Sequence, residues 1–157
     1  MNSTNVTGNT GQSESALGVD MNLEVVTLPV ADVDRSKAFY ESLGWRLDID
    51  LVVGDAVRTV QFTPLHSGCS IQFGKGRTAA EPGSAQAMIL VVKDIDAARG
   101  DLIDRGVDVS EVQEMKPPGF DAPGRSYFAR ASFSDPDGNG WELQEITTRL
   151  PGRTWTD

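Results

Sequence analysis

The sequence predicts an α+β fold of two βαβββ repeats that form a curved mixed sheet around a cleft, with the helices outside. Two observations predict it. The first is an internal match: Val30, Asp32, Val33, Asp34 and Gly44 are followed 62 positions later by Val92, Asp94, Ile95, Asp96 and Gly106. Both helix caps and both helix stops recur at this one offset, which chance does not supply. The second is that the last strands match at 70 positions, pairing Gln72 with Glu142. The eight extra residues are Pro117 to Gly124 (PPGFDAPG), a loop that only the second copy carries. One βαβββ unit leaves a sheet face uncovered, so two units pair, and the concave side between them becomes a cleft.

Each element follows from its own signals. Residues 1–20 are Ser, Thr, Asn and Gly with little to bury, and read as a disordered or loosely attached tail. The domain spans 21–148, with repeats over about 22–76 and 84–148. Leu23 to Val30 is an apolar, β-branched run and reads as a strand. Asp32 is an N-cap, Val33 to Leu43 has helical spacing, and Gly44 stops the helix. Trp45 to Val53, Val57 to Thr63 and Cys69 to Phe73 read as strands separated by Gly- and Pro-containing turns. In the second copy, Ala87 to Val92 is a strand, and Asp94 caps a helix that runs to about Arg105 and ends at Gly106. Strands follow near Val107 to Gln113, Ser126 to Phe133 and Trp141 to Thr147, and 149–157 is a short tail.

Composition narrows the function. The 157 residues suit one domain, which buries roughly two thirds of its unfolded surface. A net charge of −9 and a pI near 4.5 argue against nucleic acid and against an anionic membrane surface as partners. Cys69 is the only cysteine, which excludes an intramolecular disulfide and suits a cytoplasmic location. It reads as a small strand residue. The N-terminus lacks the basic and apolar regions of a signal peptide, and no apolar run spans a bilayer.

Three segments carry a family resemblance: Val26 to Tyr40 (VTLPVADVDRSKAFY) with Gly44 after it, Val92 to Asp96 (VKDID), and Phe133 to Gln144 (FSDPDGNGWELQ). Together they resemble the vicinal oxygen chelate superfamily, which includes glyoxalase I, bleomycin-resistance proteins, fosfomycin-resistance enzymes and extradiol dioxygenases. The resemblance covers about residues 22–148. The Asp135-Pro136-Asp137-Gly138 turn is read as structural, because Pro fixes φ, Gly supplies positive φ and Asp bonds local backbone.

The resemblance implies four cleft-facing side chains from the first and last strands of each repeat, which hold a divalent ion in metal-using members. Here those positions fall on Val25, Gln72, Ala87 and Glu142. Val25 and Ala87 have no donor atom, so the expectation is no metal and no other cofactor. His66, the only histidine, falls in a turn and reads as a solvated loop residue. Strand alternation adds Thr27, Ser70 and Gln144 to the cleft and sends Val26, Leu28, Trp141 and Leu143 to the core.

The resulting expectation is metal-independent binding of a small organic ligand by Val25, Thr27, Gln72, Ala87, Glu142 and Gln144, in the manner of bleomycin-resistance proteins. A second reading is an enzyme in which Glu142, its pKa raised in an apolar cleft, does acid–base work. In the corresponding bland reading Glu142 simply bonds Gln72 or water. A metal enzyme of the glyoxalase or dioxygenase kind and a pure dimerisation module complete the alternatives. Arg58 and Arg130 are candidates to hold an anionic ligand. The Pro117 to Gly124 loop, built around Phe120, either closes over the cleft or is a plain surface insertion. The resemblance also implies a homodimer.

Overall fold

The computed structural model describes residues 18–119, 124–149, 153 and 155. The first repeat contains β1 (Val25–Thr27), α1 (Val33–Ser42), β2 (Arg46–Val53), β3 (Val57–Thr63) and β4 (Ser70–Phe73). The second contains β5 (Met88–Val92), α2 (Ile95–Asp104), β6 (Gln113–Glu114), β7 (Ala129–Ser134) and β8 (Gly140–Glu145). They form two four-stranded mixed sheets with matching orders, β1-β4-β3-β2 and β5-β8-β7-β6. In each, the first and last strands of the repeat are parallel and the remaining pairs antiparallel.

The duplication holds at the level of register. Thr27 pairs with Gln72, and Ile89, 62 positions on, pairs with Glu142, which is 70 beyond Gln72. Both helices start alike: Asp32 accepts a hydrogen bond from the Arg35 amide and Asp94 from the Ala97 amide, each at 3.0 Å. Both stop at a glycine with positive φ, Gly44 at 76° and Gly106 at 85°.

Three expected elements are corrected. Only Gln113 and Glu114 of the region predicted from Val107 onward pair as a strand. Val107 and Val109 are buried in the core, so their apolar pattern signalled burial and not pairing. Ser126 to Phe128 form a turn, with Tyr127 at φ 70°, and β7 begins only at Ala129. Ala87 lies one residue before β5 at φ 60°, outside the strand. Of the expected N-terminal tail, residues 1–17 lie outside the described residues, as do Phe120 and 121–123 of the loop.

The core sits on the helix-facing sides of the sheets. Leu28, Val60, Phe62, Ile71 and Phe73 supply the first half, and Ala131, Phe133, Trp141 and Leu143 the second. Tyr40 of α1 lies at the centre, its ring 5.3 to 6.3 Å from those of Trp45, Phe62, Phe73 and Trp141. Such tilted and edge-on aromatic contacts add roughly 0.5–1.5 kcal/mol each beyond area burial.

A buried polar clasp joins the repeats through the Asp135–Asn139 turn. One Asp135 carboxylate oxygen accepts the amides of Asp137 and Asn139, both at 2.9 Å. The other accepts the Tyr40 hydroxyl at 2.9 Å and the Asn139 side-chain amide at 2.8 Å. The Asn139 side chain also donates to the Pro29 carbonyl and accepts the Ala85 amide. Asp137 reaches α1 through Arg35 and Ser36, and accepts the amide of Ala31 just before the helix cap. Burial first, and the Asp135 carboxylate second, raise the Tyr40 phenol far above its ordinary pKa, so it stays a donor. Gly83 seats the linker on this turn: at φ +79°, a Cβ there would lie 2.1 Å from the Asp137 carbonyl oxygen.

Two predictions follow from this packing. Tyr40→Phe strands the Trp141 indole N–H, which donates to the Tyr40 hydroxyl at 3.1 Å, and removes a donor from Asp135. Urea denaturation is expected to register a loss of about 1–3 kcal/mol; a loss below about 0.5 kcal/mol would place the clasp's energy elsewhere. Outside the core, hydrogen bonds from Arg58 and then Lys37 depress the Asp50 carboxyl to about 2. A depressed carboxyl stabilises above its unfolded pKa of 3.8 and loses that contribution as pH falls towards 2. Thermal melts of Asp50→Asn should therefore lie below the parent at neutral pH, by about 1 kcal/mol or less for so solvated a group, and converge with it between about pH 4 and 2.

Candidate functional site

Strand alternation leaves one face of each sheet uncovered by its helix, and this concave face carries the candidate site. In the first half, Thr27, Gln72 and Gln61 form one row across β1, β4 and β3. The Gln72 amide donates to the Thr27 hydroxyl at 2.8 Å. The neighbouring row joins Ser70 and Thr63, whose hydroxyls are 2.6 Å apart, with Val25 opposite Ser70.

Asp48 completes this polar file. A register shift between Leu47 and Ile49 makes it a bulge residue, and its carboxylate accepts hydrogen bonds from Gln61 and Thr63. Burial opposes its charge, but bonds from Arg46, Thr63 and Gln61 outweigh burial and hold its pKa below the ordinary value. Beyond the bulge, the pairing places Ile49, Leu51 and Val53 on the same concave face. They are 41%, 54% and 57% exposed, an apolar stripe beside the polar file.

In the second half, Ile89, Glu142 and Ser132 form one row, and Val91, Gln144 and Arg130 the next. Arg130 pairs with Glu142 across these rows. Gln144 is buried and donates to the Tyr127 carbonyl at 2.9 Å. A depression of about 760 Å³ is bordered by Gln86, Ala87, Ser132, Ser134, Gly140 and Glu142.

Of the six residues expected in the cleft, Val25, Thr27 and Gln72 lie in the first half and Ala87, Glu142 and Gln144 in the second, and the polar ones bond only within their own half. Three expectations are corrected. Glu142 does not bond Gln72; Arg130, on the adjacent strand, reaches it instead. Arg58 does not face the cleft, because it shares the helix-facing side of β3 with Val60. There it is committed to Asp50, at 3.0 Å, and Asp34, at 2.7 Å. Ala87 borders the depression from the irregular residue just before β5 and not from within a strand. Asp48, Gln61 and Thr63 are members that sequence reasoning missed. Their sequence signal was alternation: the bulge breaks it at Asp48, whereas Gln61 and Thr63 keep it and could have been found from the alternation of β3.

The donor set does not fit a metal ion. Val25 and Ala87 offer no donor, the Gln72 amide is turned to Thr27, and Glu142 is neutralised by Arg130. His66 lies in an exposed turn at φ 61°. Among the described residues, no three His, Cys, Asp or Glu side chains converge as a metal site would require. Nor, among these residues, is any helix long and apolar enough to cross a membrane.

Comparison with known proteins agrees with this geometry. The chain is 29% identical to TnmS3, an antibiotic binding protein from Streptomyces sp. CB03234; the match covers 81% of this chain and 97% of TnmS3 with a TM-score of 0.65. A glyoxalase/bleomycin resistance protein from the same organism is 30% identical over 78% of this chain and 99% of its own, with a TM-score of 0.61. A superfamily member from Sphaerobacter thermophilus DSM 20745 is 28% identical over 80% and 98%, with a TM-score of 0.64. The chain matches none of the curated proteins. The family model described as Glyoxalase/Bleomycin resistance protein/Dioxygenase superfamily matches residues 22–143. With most of its length matched and both βαβββ halves in place, the chain belongs to the glyoxalase/bleomycin resistance protein/dioxygenase superfamily.

Proposed function

We propose that this protein binds an organic small molecule on its concave face without a metal ion, as a cytoplasmic homodimer. One observation carries the reading: a file of hydroxyl, amide and carboxylate groups stands beside exposed Ile49, Leu51, Val53 and Ile89, while two of the family's metal-ligand positions are apolar. Apolar walls with a few fixed polar groups suit an aromatic or heterocyclic ligand. The likeness to TnmS3, an antibiotic binding protein, supports the same class. The homodimer is supported by β2, an edge strand with an unpaired side whose exposed Val52, on the face away from the ligand wall, invites cover by a second copy.

A second reading has its own observation: Glu142 borders the 760 Å³ depression beside Arg130, so that a substrate drawing Arg130 away would leave a carboxylate able to accept a proton. The two readings part on turnover, because a binder releases its ligand unchanged.

Native mass spectrometry of protein purified without chelator tests the main reading. The expected species is a dimer without divalent ions, whose retained organic molecule leaves with unaltered mass. One divalent ion per subunit, or a chemically altered ligand, would overturn it. For the molecule so identified, Gln72→Leu should weaken binding roughly ten-fold by calorimetry, since an unpaired Thr27 hydroxyl and a lost amide cost about 1–2 kcal/mol. Unchanged affinity would move the site off the first half.

A further inference from the structure

The polar file of the first half has a direction. Across the sheet it runs Thr27, Gln72, Gln61 and Asp48, one residue from each of β1, β4, β3 and β2. Gln72 and Gln61 are direct cross-strand partners, and their amide nitrogens are drawn to opposite flanks. Gln72 Nε2 donates to Thr27 Oγ1 at 2.8 Å, and Gln61 Nε2 donates to Asp48 Oδ2 at 3.3 Å. Chemistry dictates the second orientation. Against the cost of burial, hydrogen bonds keep the Asp48 carboxyl ionised. An ionised carboxylate only accepts, so the nitrogen of Gln61 must face it.

The two amide oxygens are left over. Gln61 Oε1 and Gln72 Oε1 accept no hydrogen bond from any described residue. They are not sealed from solvent either. Both residues are half-buried, and neither oxygen is among the buried side-chain atoms that lack a partner, so each keeps accessible surface. Gln144 repeats the pattern in the second half: its nitrogen donates to the Tyr127 carbonyl, which can only accept, and its oxygen has no partner among the described residues. The cations of these faces are committed elsewhere, Arg46 to Asp48 at 2.5 Å and Arg130 to Glu142. Asp48 adds a negative end to the row, which favours a donor over an acceptor. Ile49 pairs directly with Gln61 across β2 and β3, so the exposed apolar stripe of Ile49, Leu51 and Val53 begins at the carbonyl pair.

We infer that the ligand of the concave face carries a paired hydrogen-bond donor, an amidine, amine or primary amide NH₂, which it gives to the carbonyl oxygens of Gln61 and Gln72. Its apolar body lies along Ile49, Leu51 and Val53. Asp48 and Thr27 are positioning residues, because they hold the two amides with their oxygens free. The inference rests on the concave-face binding reading above and adds the hydrogen-bond polarity that its ligand must have.

The test titrates the full chain with three small aromatic probes, followed by NMR. Benzamidine is planar and offers a pair of N–H donors. Benzoate has the same shape with acceptors only. Benzyltrimethylammonium has the charge of benzamidine and no donor. Benzamidine is expected to bind at least about ten-fold more tightly than either of the others. The side-chain amide signals absent from the Gln61→Leu and Gln72→Leu spectra should move on its addition to the unaltered protein. Each of these variants should cut the preference for benzamidine over benzyltrimethylammonium to about three-fold or less. Asp48→Asn should do the same, since an asparagine amide can donate and so releases Gln61 to turn its oxygen inward. A merely structural role for Asp48 would lower both affinities and leave their ratio intact, which would overturn its assignment. Equal affinity of the unaltered protein for benzamidine and benzyltrimethylammonium, or tighter binding of benzoate, would overturn the donor pair while leaving small-molecule binding in place. No movement of any concave-face signal with any probe at millimolar concentration would overturn both.

Discussion

The Asp135 carboxylate is the interaction on which the architecture turns. It is buried, it belongs to the second repeat, and it accepts four hydrogen bonds, one of them from Tyr40 of the first. A buried charge survives only when its lone pairs are met, and here they are met by groups from both halves. Asn139 extends the same network to the end of β1 and the approach to β5. The turn therefore fixes three things together: the tight entry into β8, the position of α1, and the path of the linker. Neither repeat completes this network alone, which couples the folding of the two halves.

Around that hub the aromatic residues do the apolar share of the work. Tyr40 has its hydroxyl in the polar network and its ring among Trp45, Phe62, Phe73 and Trp141. Trp141 repeats the arrangement, its indole N–H donating to Tyr40 while its ring stacks 6.3 Å from Phe133. Each side chain pairs apolar area with a satisfied polar tip, which is how large amphipathic groups are buried at low cost. With these rings committed to the helix-facing side, the concave faces are left to shorter polar residues and scattered aliphatic ones.

The chemistry of those faces follows. Of the four positions expected to carry metal ligands, Val25 and Ala87 have no donor atom, and the Gln72 and Glu142 side chains are bonded to Thr27 and Arg130. The first half carries a polar file that ends on the Asp48 carboxylate, and the second half an ion pair. A surface of that kind recognises shape and hydrogen bonding and not strong charge.

By itself the sequence determined the duplicated fold, because caps, glycine stops and strand alternation are local signals that repeat at fixed offsets. Asp32 and Asp94 cap, Gly44 and Gly106 stop, and Thr27–Gln72 and Ile89–Glu142 pair as the offsets of 62 and 70 require. It also determined the core face through Val26, Leu28, Trp141 and Leu143, and the absence of donors at Val25 and Ala87. Only the tertiary structure decided where polar groups point once backbone regularity fails. Alternation puts Asp48 and Asp50 on one face, but the bulge at Asp48 separates them. Asp48 joins Thr63 on the concave side, and Asp50 joins Arg58 and Lys37 on the helix side. The partner of Glu142 and the reach of Asp135 to Tyr40 likewise depend on contacts that form between strands and helices only in the folded chain. Local sequence pattern carries no record of such contacts, because they form only when separate elements dock.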